Sequence, residues 1–150
     1  AIGGYIAGPQ PVIDLMRQRA RPYLFSNALP PAVVAAGLAA IDLVEAGDDL
    51  RTQLFDNAAY WRAGLSDAGF DLLEGQHPII PVMLYDAQKA QVLAARLFEL
   101  GVYVSGFFFP VVPKGRAMIR TQMNAALTRA DLDTALAAFA QAGRDTGVLS

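Results

Sequence analysis

The sequence predicts an α+β fold, a small and mainly antiparallel sheet with helices on one face. Three observations point there. The second half alternates as strand, strand, helix, strand, strand, helix. Two long helical patterns precede it. No internal repeat, low-complexity tract or long linker interrupts the 150 residues, so the chain reads as one domain or a large piece of one.

Taken in order, Gly3 to Gly8 is short, apolar and flanked by glycine, the pattern of a buried strand. A helix follows to about Arg19, with Pro11 tolerable in its first turn. Arg17, Arg19 and Arg21 suit the negative end of its dipole, and Pro22 is expected to stop it. Tyr23 to Leu29 reads as an extended connection. Pro30 and Pro31 open a helix to about Ala46 that is apolar nearly all round, which predicts burial on every side. Asp48 or Asp49 caps the next helix, to about Ala68, with Leu50, Leu54, Ala58, Trp61 and Leu65 on one stripe. Trp61 belongs to the core on that pattern.

Phe70 to Leu73 and Ile79 to Leu84 read as strands; Pro81 inside the second predicts an edge or a bulge. His77 falls in the turn between them. Asp86 caps a helix to about Leu100, which Gly101 closes. Val102 to Phe109 and Arg116 to Met123 are the remaining strands. Thr128 with Asp131 forms a capping-box pattern for a last helix to about Ala142.

Composition narrows the function. Hydrophobic residues make up 54% and charged residues 17%, enough for a sizeable core with apolar surface left for a partner. A net charge of −2 without a basic stripe argues against nucleic acid. With no cysteine and one histidine, thiolate and histidine metal clusters are excluded, as are disulfides. No apolar run reaches the length of a membrane span, and the start has no basic n-region of a signal peptide. The chain lacks an initial methionine and opens in a strand-like run, so it is expected to begin mid-domain.

The segment most suggestive of chemistry is Phe107 to Met123, FFFPVVPKGRAMIRTQM. It sets one arginine, Arg120, among apolar neighbours on an alternating strand. Two readings stand. Either Arg120 points to water from a half-wet strand, or it points inward and clamps a carboxylate or phosphate, for which a guanidinium fork is suited. Ser26 and Asn27, two small polar residues in an apolar connection, are either turn chemistry or ligand contacts.

Five segments carry a family resemblance. They are Gly3-Gly4-Tyr5, Arg19 to Asn27 (RARPYLFSN), Ile79 to Met83, Gly106 to Gly115 (GFFFPVVPKG) and Ile119 to Met123. Together they resemble the α-oxoamine synthases, pyridoxal-phosphate enzymes of the aspartate-aminotransferase fold. The resemblance runs through the whole chain. It implies that residues 1–29 are the end of the large cofactor-binding domain and its connection. Residues 30–150 would be the C-terminal small domain of this fold-type-I transferase, whose parent fold is α/β.

The branch most resembled joins glycine to acetyl-CoA in threonine degradation, giving 2-amino-3-oxobutyrate and CoA. Two alternatives stay open: another family activity, such as that of the 8-amino-7-oxononanoate synthases, or a non-catalytic domain that binds an anion at Arg120. The resemblance gives Arg120 the substrate carboxylate. It gives Ser26, with Asn27 beside it, the cofactor phosphate of the neighbouring subunit, through a hydroxyl and a backbone N–H. It therefore implies a homodimer with shared active sites, and it sets Pro113-Lys114-Gly115 near the entrance; a cytoplasmic location is expected, with which the lack of cysteine is compatible. The family's Schiff-base lysine, ring-pairing aspartate and stacking histidine are expected upstream of Ala1, so no catalytic residue is expected within the chain. Two departures stand out: relatives commonly carry histidine at the position of Leu127 and often tyrosine at that of Phe109.

Overall fold

A computed structural model describes residues 2–149. The chain divides into two compact units, Ala1–Asp48 and Asp49–Ser150.

The first unit is helical: α1 (Gln10–Arg19), α2 (Arg21–Phe25) and α3 (Pro31–Glu45). Pro9 and Pro30 stand at the N-caps of α1 and α3, and each helix carries a further proline in its first turn, where no N–H is needed. Three expectations are corrected. Gly3 to Gly8 forms no strand: Gly3 takes φ +116, no neighbouring strand pairs with the run, and its residues are exposed. Pro22 does not mark the start of an extended connection. It lies in the first turn of α2, so Tyr23 to Phe25 are helical and extended backbone begins only at Ser26. Helix α3 has no buried residue, with Leu38 61% and Leu43 73% exposed. Its all-round apolar pattern calls for cover that nothing among the described residues supplies.

The second unit is the expected layer. It comprises α4 (Asp48–Asp67), β1 (Ile79–Tyr85), α5 (Ala87–Glu99), β2 (Gly106–Phe107), β3 (Ala117–Gln122) and α6 (Arg129–Asp145). The sheet order is β1-β3-β2, antiparallel at both junctions. Ile80, Val82 and Leu84 from β1 and Ala117, Ile119 and Thr121 from β3 are buried on one face. Ala58, Trp61 and Leu65 of α4, Leu93 and Leu97 of α5, and Leu132 and Phe139 of α6 join them in a single core. The Phe139 ring meets Trp61 and Phe70 edge-on, at 5.3 and 5.8 Å between centroids. Leu50, counted on the inward stripe, is exposed; α4 makes its core contacts from Leu54 onward.

Pro81 sits where its missing N–H does no harm. Its carbonyl accepts from Leu73 N–H on the outer side of β1, and the strand bulges between Met83 and Tyr85. The expected strand at Phe70 to Leu73 is reduced to one bridge, Leu72 to Val82. The expected strand from Val102 to Phe109 shrinks to Gly106–Phe107. Val102 N–H is taken by Leu97 O in closing α5, Pro110 has no N–H, and Val111 and Val112 turn back onto Phe108 O. Asp86 caps α5 by accepting from Lys89 N–H, and the Thr128–Asp131 capping box opens α6.

Candidate active-site groove around Arg120

The short β2 shapes the site. It pairs only with Met118 and Ile119, so β3 loses its second neighbour at Arg120. An open groove of about 390 Å³ lies there, bounded by Val102 to Ser105 and Phe107 on one side and by Leu127, Asp131, Leu132 and Ala135 on the other. Arg120 to Met123 run along it, with Trp61 and Phe139 deeper in.

Arg120 is exposed, on the opposite sheet face from the buried residues of β3. The inward, sheltered arginine of the clamp reading is thus corrected in its burial: strand alternation turns its side chain away from the helices. Its guanidinium carbon lies 4.5 Å from the centroid of the Phe107 ring. No carboxylate pairs with Arg120 among the described residues. Pro81, opposite it on β1, brings no charge. Asp131 is the acidic residue of the lining, and its carboxylate is already engaged. It accepts from the Thr128 hydroxyl at 2.6 Å and the Thr128 N–H at 2.9 Å. These two bonds, the side-chain one first, hold its pKa below the ordinary value. The fork of Arg120 is left without an internal anion.

Buried polar ties hold the groove's frame. Thr121, next to Arg120, donates to Ile80 O at 2.8 Å and accepts from Trp61 Nε1–H at 2.9 Å. Asn57, 0% exposed, donates to Asn124 O and Leu127 O at 3.1 and 2.8 Å and accepts from Gln53. Asn124 Oδ1 in turn accepts from the N–H groups of Ala126 and Leu127. The loop between β3 and α6 is therefore fixed from α4. Sequence reading missed Asn57; the signal was a polar residue beside Ala58 on an otherwise apolar stripe.

Ser26 and Asn27 lie in the first unit, where Ser26 ends α2. The Ser26 N–H is bonded to Pro22 O at 3.0 Å, which leaves the Ser26 hydroxyl as that residue's donor. The hydroxyl and the Asn27 amide are exposed. Both lysines are away from the groove lining: Lys89 flanks a smaller pocket near Tyr85, and Lys114 Nζ lies 5.2 Å from the Phe109 ring centroid. Leu127, one of the two departures, lines the groove itself; Phe109, the other, is exposed beside Lys114. His77 accepts from Ile79 N–H in its turn, as a local structural residue does. Among the described residues no cluster of acidic or histidine side chains suits a metal ion, and no helix is long and apolar enough to cross a membrane.

Comparison with known proteins places this geometry. Residues 1–139 match the family model of the class I and II aminotransferases. The chain is 51% identical to the 2-amino-3-ketobutyrate coenzyme A ligase of Escherichia coli K12, over all of its length and 38% of that protein. It is 45% identical to the 8-amino-7-oxononanoate synthase of Symbiobacterium thermophilum, over 99% of its length and 38% of that one. Among solved structures it is similar to the serine palmitoyltransferase of Sphingomonas wittichii, with a TM-score of 0.86 and 34% identity over 94% of this chain and 36% of that one. A structure of SPT with PLP internal aldimine matches with a TM-score of 0.87 at the same identity. The chain thus spans less than two fifths of the length of the curated relatives it matches.

Proposed function

Because the chain belongs to the class I and II aminotransferase family, we propose that it is the substrate-holding part of a pyridoxal-phosphate-dependent acyltransferase. The reaction is condensation of glycine with acetyl-CoA to 2-amino-3-oxobutyrate and CoA. The glycine α-proton leaves, a C–C bond forms to the acetyl carbon, the thioester C–S bond breaks, and CoA departs as its thiol. The observation that carries the reading is Arg120, an exposed guanidinium with no internal anion at the mouth of a groove. The 51% identity to a ligase of 2-amino-3-ketobutyrate supports the choice of substrates.

Pyridoxal phosphate, when bound, supplies an electron sink for the substrate α-carbon. Arg120 holds the glycine carboxylate through two parallel N–H bonds and so fixes the direction of the α C–H. The Ser26 hydroxyl, with Asn27 beside it, meets the cofactor phosphate of the neighbouring subunit in a homodimer with shared sites. The backbone N–H of Ser26, occupied by Pro22 O, takes no part. Neither lysine reaches the groove lining, so the covalent anchor of the cofactor comes from elsewhere in the complete protein. Residues 1–29 then close the large domain, residues 30–150 form the small domain, and the enzyme works in the cytoplasm.

The test is kinetic, on the full-length polypeptide with its cofactor. CoA release from acetyl-CoA with glycine is expected to exceed release from pimeloyl-CoA with alanine, the pair whose carbons make up a nine-carbon oxononanoate once the amino-acid carboxyl is lost. Arg120→Ala raises the glycine KM strongly, and Arg120→Lys rescues it poorly, because a point charge does not reproduce a bidentate fork. Preference for the longer thioester transfers the reading to an oxononanoate synthase, the activity of the 45%-identical relative. Absence of turnover with either thioester overturns the enzymatic reading in favour of a non-catalytic, anion-binding domain.

A further inference from the structure

We propose that Phe107 is a positioning residue that holds the Arg120 guanidinium in its carboxylate-receiving pose, an inference that rests on the carboxylate role of Arg120 given above. The register makes the contact. Phe107 stands opposite Met118, and strand alternation puts residues 118 and 120 on one face, so Phe107 and Arg120 are diagonal neighbours across β2 and β3. An aromatic side chain spans that diagonal, and the guanidinium carbon comes to 4.5 Å from its ring centroid. The face of the ring attracts the cation without using any N–H of the fork. A carboxylate partner would consume those donors and compete with the substrate; a ring does not.

Phe107 is itself held in place. A Cβ on its neighbour Gly106 would lie 3.3 Å from Ala90 O, closer than most side-chain carbons approach backbone. The absence of that atom lets β2 lie directly against α5. The sequence from Gly106 to Phe107 thus sets the strand against the helix and the ring under the arginine. Arginine has several freely rotating bonds, and a pose fixed before binding loses less freedom on gripping a ligand.

The experiment uses the full-length polypeptide with its cofactor and glycine as the probe. Phe107→Leu is expected to raise the glycine KM about two- to five-fold, the range of a partly exposed cation–aromatic contact, with kcat nearly unchanged. Phe107→Tyr is expected to keep the wild-type KM, since it keeps the ring face. In the double variant Phe107→Leu/Arg120→Ala the KM should equal that of Arg120→Ala alone, because the ring acts only through the arginine. If Arg120→Ala raises the KM but Phe107→Leu does not, or if the two effects multiply, the positioning role is overturned and the carboxylate role stands. If Arg120→Ala itself leaves the KM unchanged, the carboxylate role fails and the positioning role falls with it. A loss of kcat in both Phe107→Leu and Phe107→Tyr, with glycine KM unmoved, marks a packing residue and overturns the proposal as well.

Discussion

Replacing Thr121 by valine removes one oxygen atom and changes little else in shape. That oxygen serves two partners at once, accepting from Trp61 Nε1–H and donating to Ile80 O. Trp61 and Thr121 are only 2% and 5% exposed, so water does not replace the lost partner. An orphaned buried donor costs about 1–3 kcal/mol, and the lost bond to Ile80 O adds roughly 0.5–1.5. Part of the second loss is softened because Ile80 remains in register with residue 121 through the ladder. A destabilisation of about 2–3 kcal/mol is therefore expected. Urea unfolding of the 150-residue chain, followed by far-UV circular dichroism and by fluorescence of its single tryptophan, reads it directly. Trp61→Phe, followed by circular dichroism alone because it removes the tryptophan, supplies the control, since it deletes the donor. The double variant should be less destabilised than the two singles summed, by about 1–2 kcal/mol. Strict additivity, or a Thr121→Val cost under about 0.5 kcal/mol, would show that the hydroxyl is not the joint between α4 and β3.

Three further outcomes are expected. Ser26→Ala should weaken cofactor retention in the full-length protein by roughly 1.5–3 kcal/mol, one hydrogen bond to a charged group. In a mixed dimer the defect should appear at the site of the partner, and a defect confined to the substituted subunit's own site refutes bridging. Asp131 has a folded pKa below its ordinary value of 3.8, so its stabilising effect is complete above that value and is lost as pH falls through the lower folded one. Asp131→Asn should accordingly lower the melting temperature at pH 7, by an amount that shrinks as pH falls below 3.8; an effect that does not change with pH would remove the carboxylate from the account. Finally, the exposed apolar α3 should make the isolated chain self-associate, and Leu38→Glu with Leu43→Glu should reverse this in sedimentation velocity. A wild-type monomer at high concentration would contradict it.

What sequence reading recovered was local. Asp86, Thr128 and Asp131 cap the helices they were expected to cap, because a capping side chain bonds within three residues of itself. The stripe through Ala58, Trp61 and Leu65, and the alternation through Ala117 to Gln122, report their buried faces directly. The misses have physical reasons. The all-apolar α3 carries the pattern of a buried helix, but burial needs a neighbour, and pattern does not supply one. Val102 to Phe109 has strand composition, yet Val102 N–H is spent on closing α5, and just past Phe109 the chain turns at Pro110, which has no N–H to pair. At the site, the segment around Arg120 was legible as a place. The stacking on Phe107 and the bracing from Asn57 were not, because both join residues whose proximity only the folded sheet creates.

The bracing from α4 also bears on how the groove comes into being in time. The Trp61–Thr121 bond links residues 60 apart in sequence, and the Asn57–Leu127 bond links residues 70 apart. Each requires a long loop to close before it contributes anything, and such closures slow folding. The walls of the groove, from Val102 to Ala135, are contiguous in sequence, yet the residues that lock them were synthesised well before. A chain trimmed to begin after Leu65 would keep most of the groove's lining and lose both ties, and its Arg120 strand and following loop would be free to drift apart. The two ties that lock the cleft are therefore expected to form late in folding, after the local elements they join.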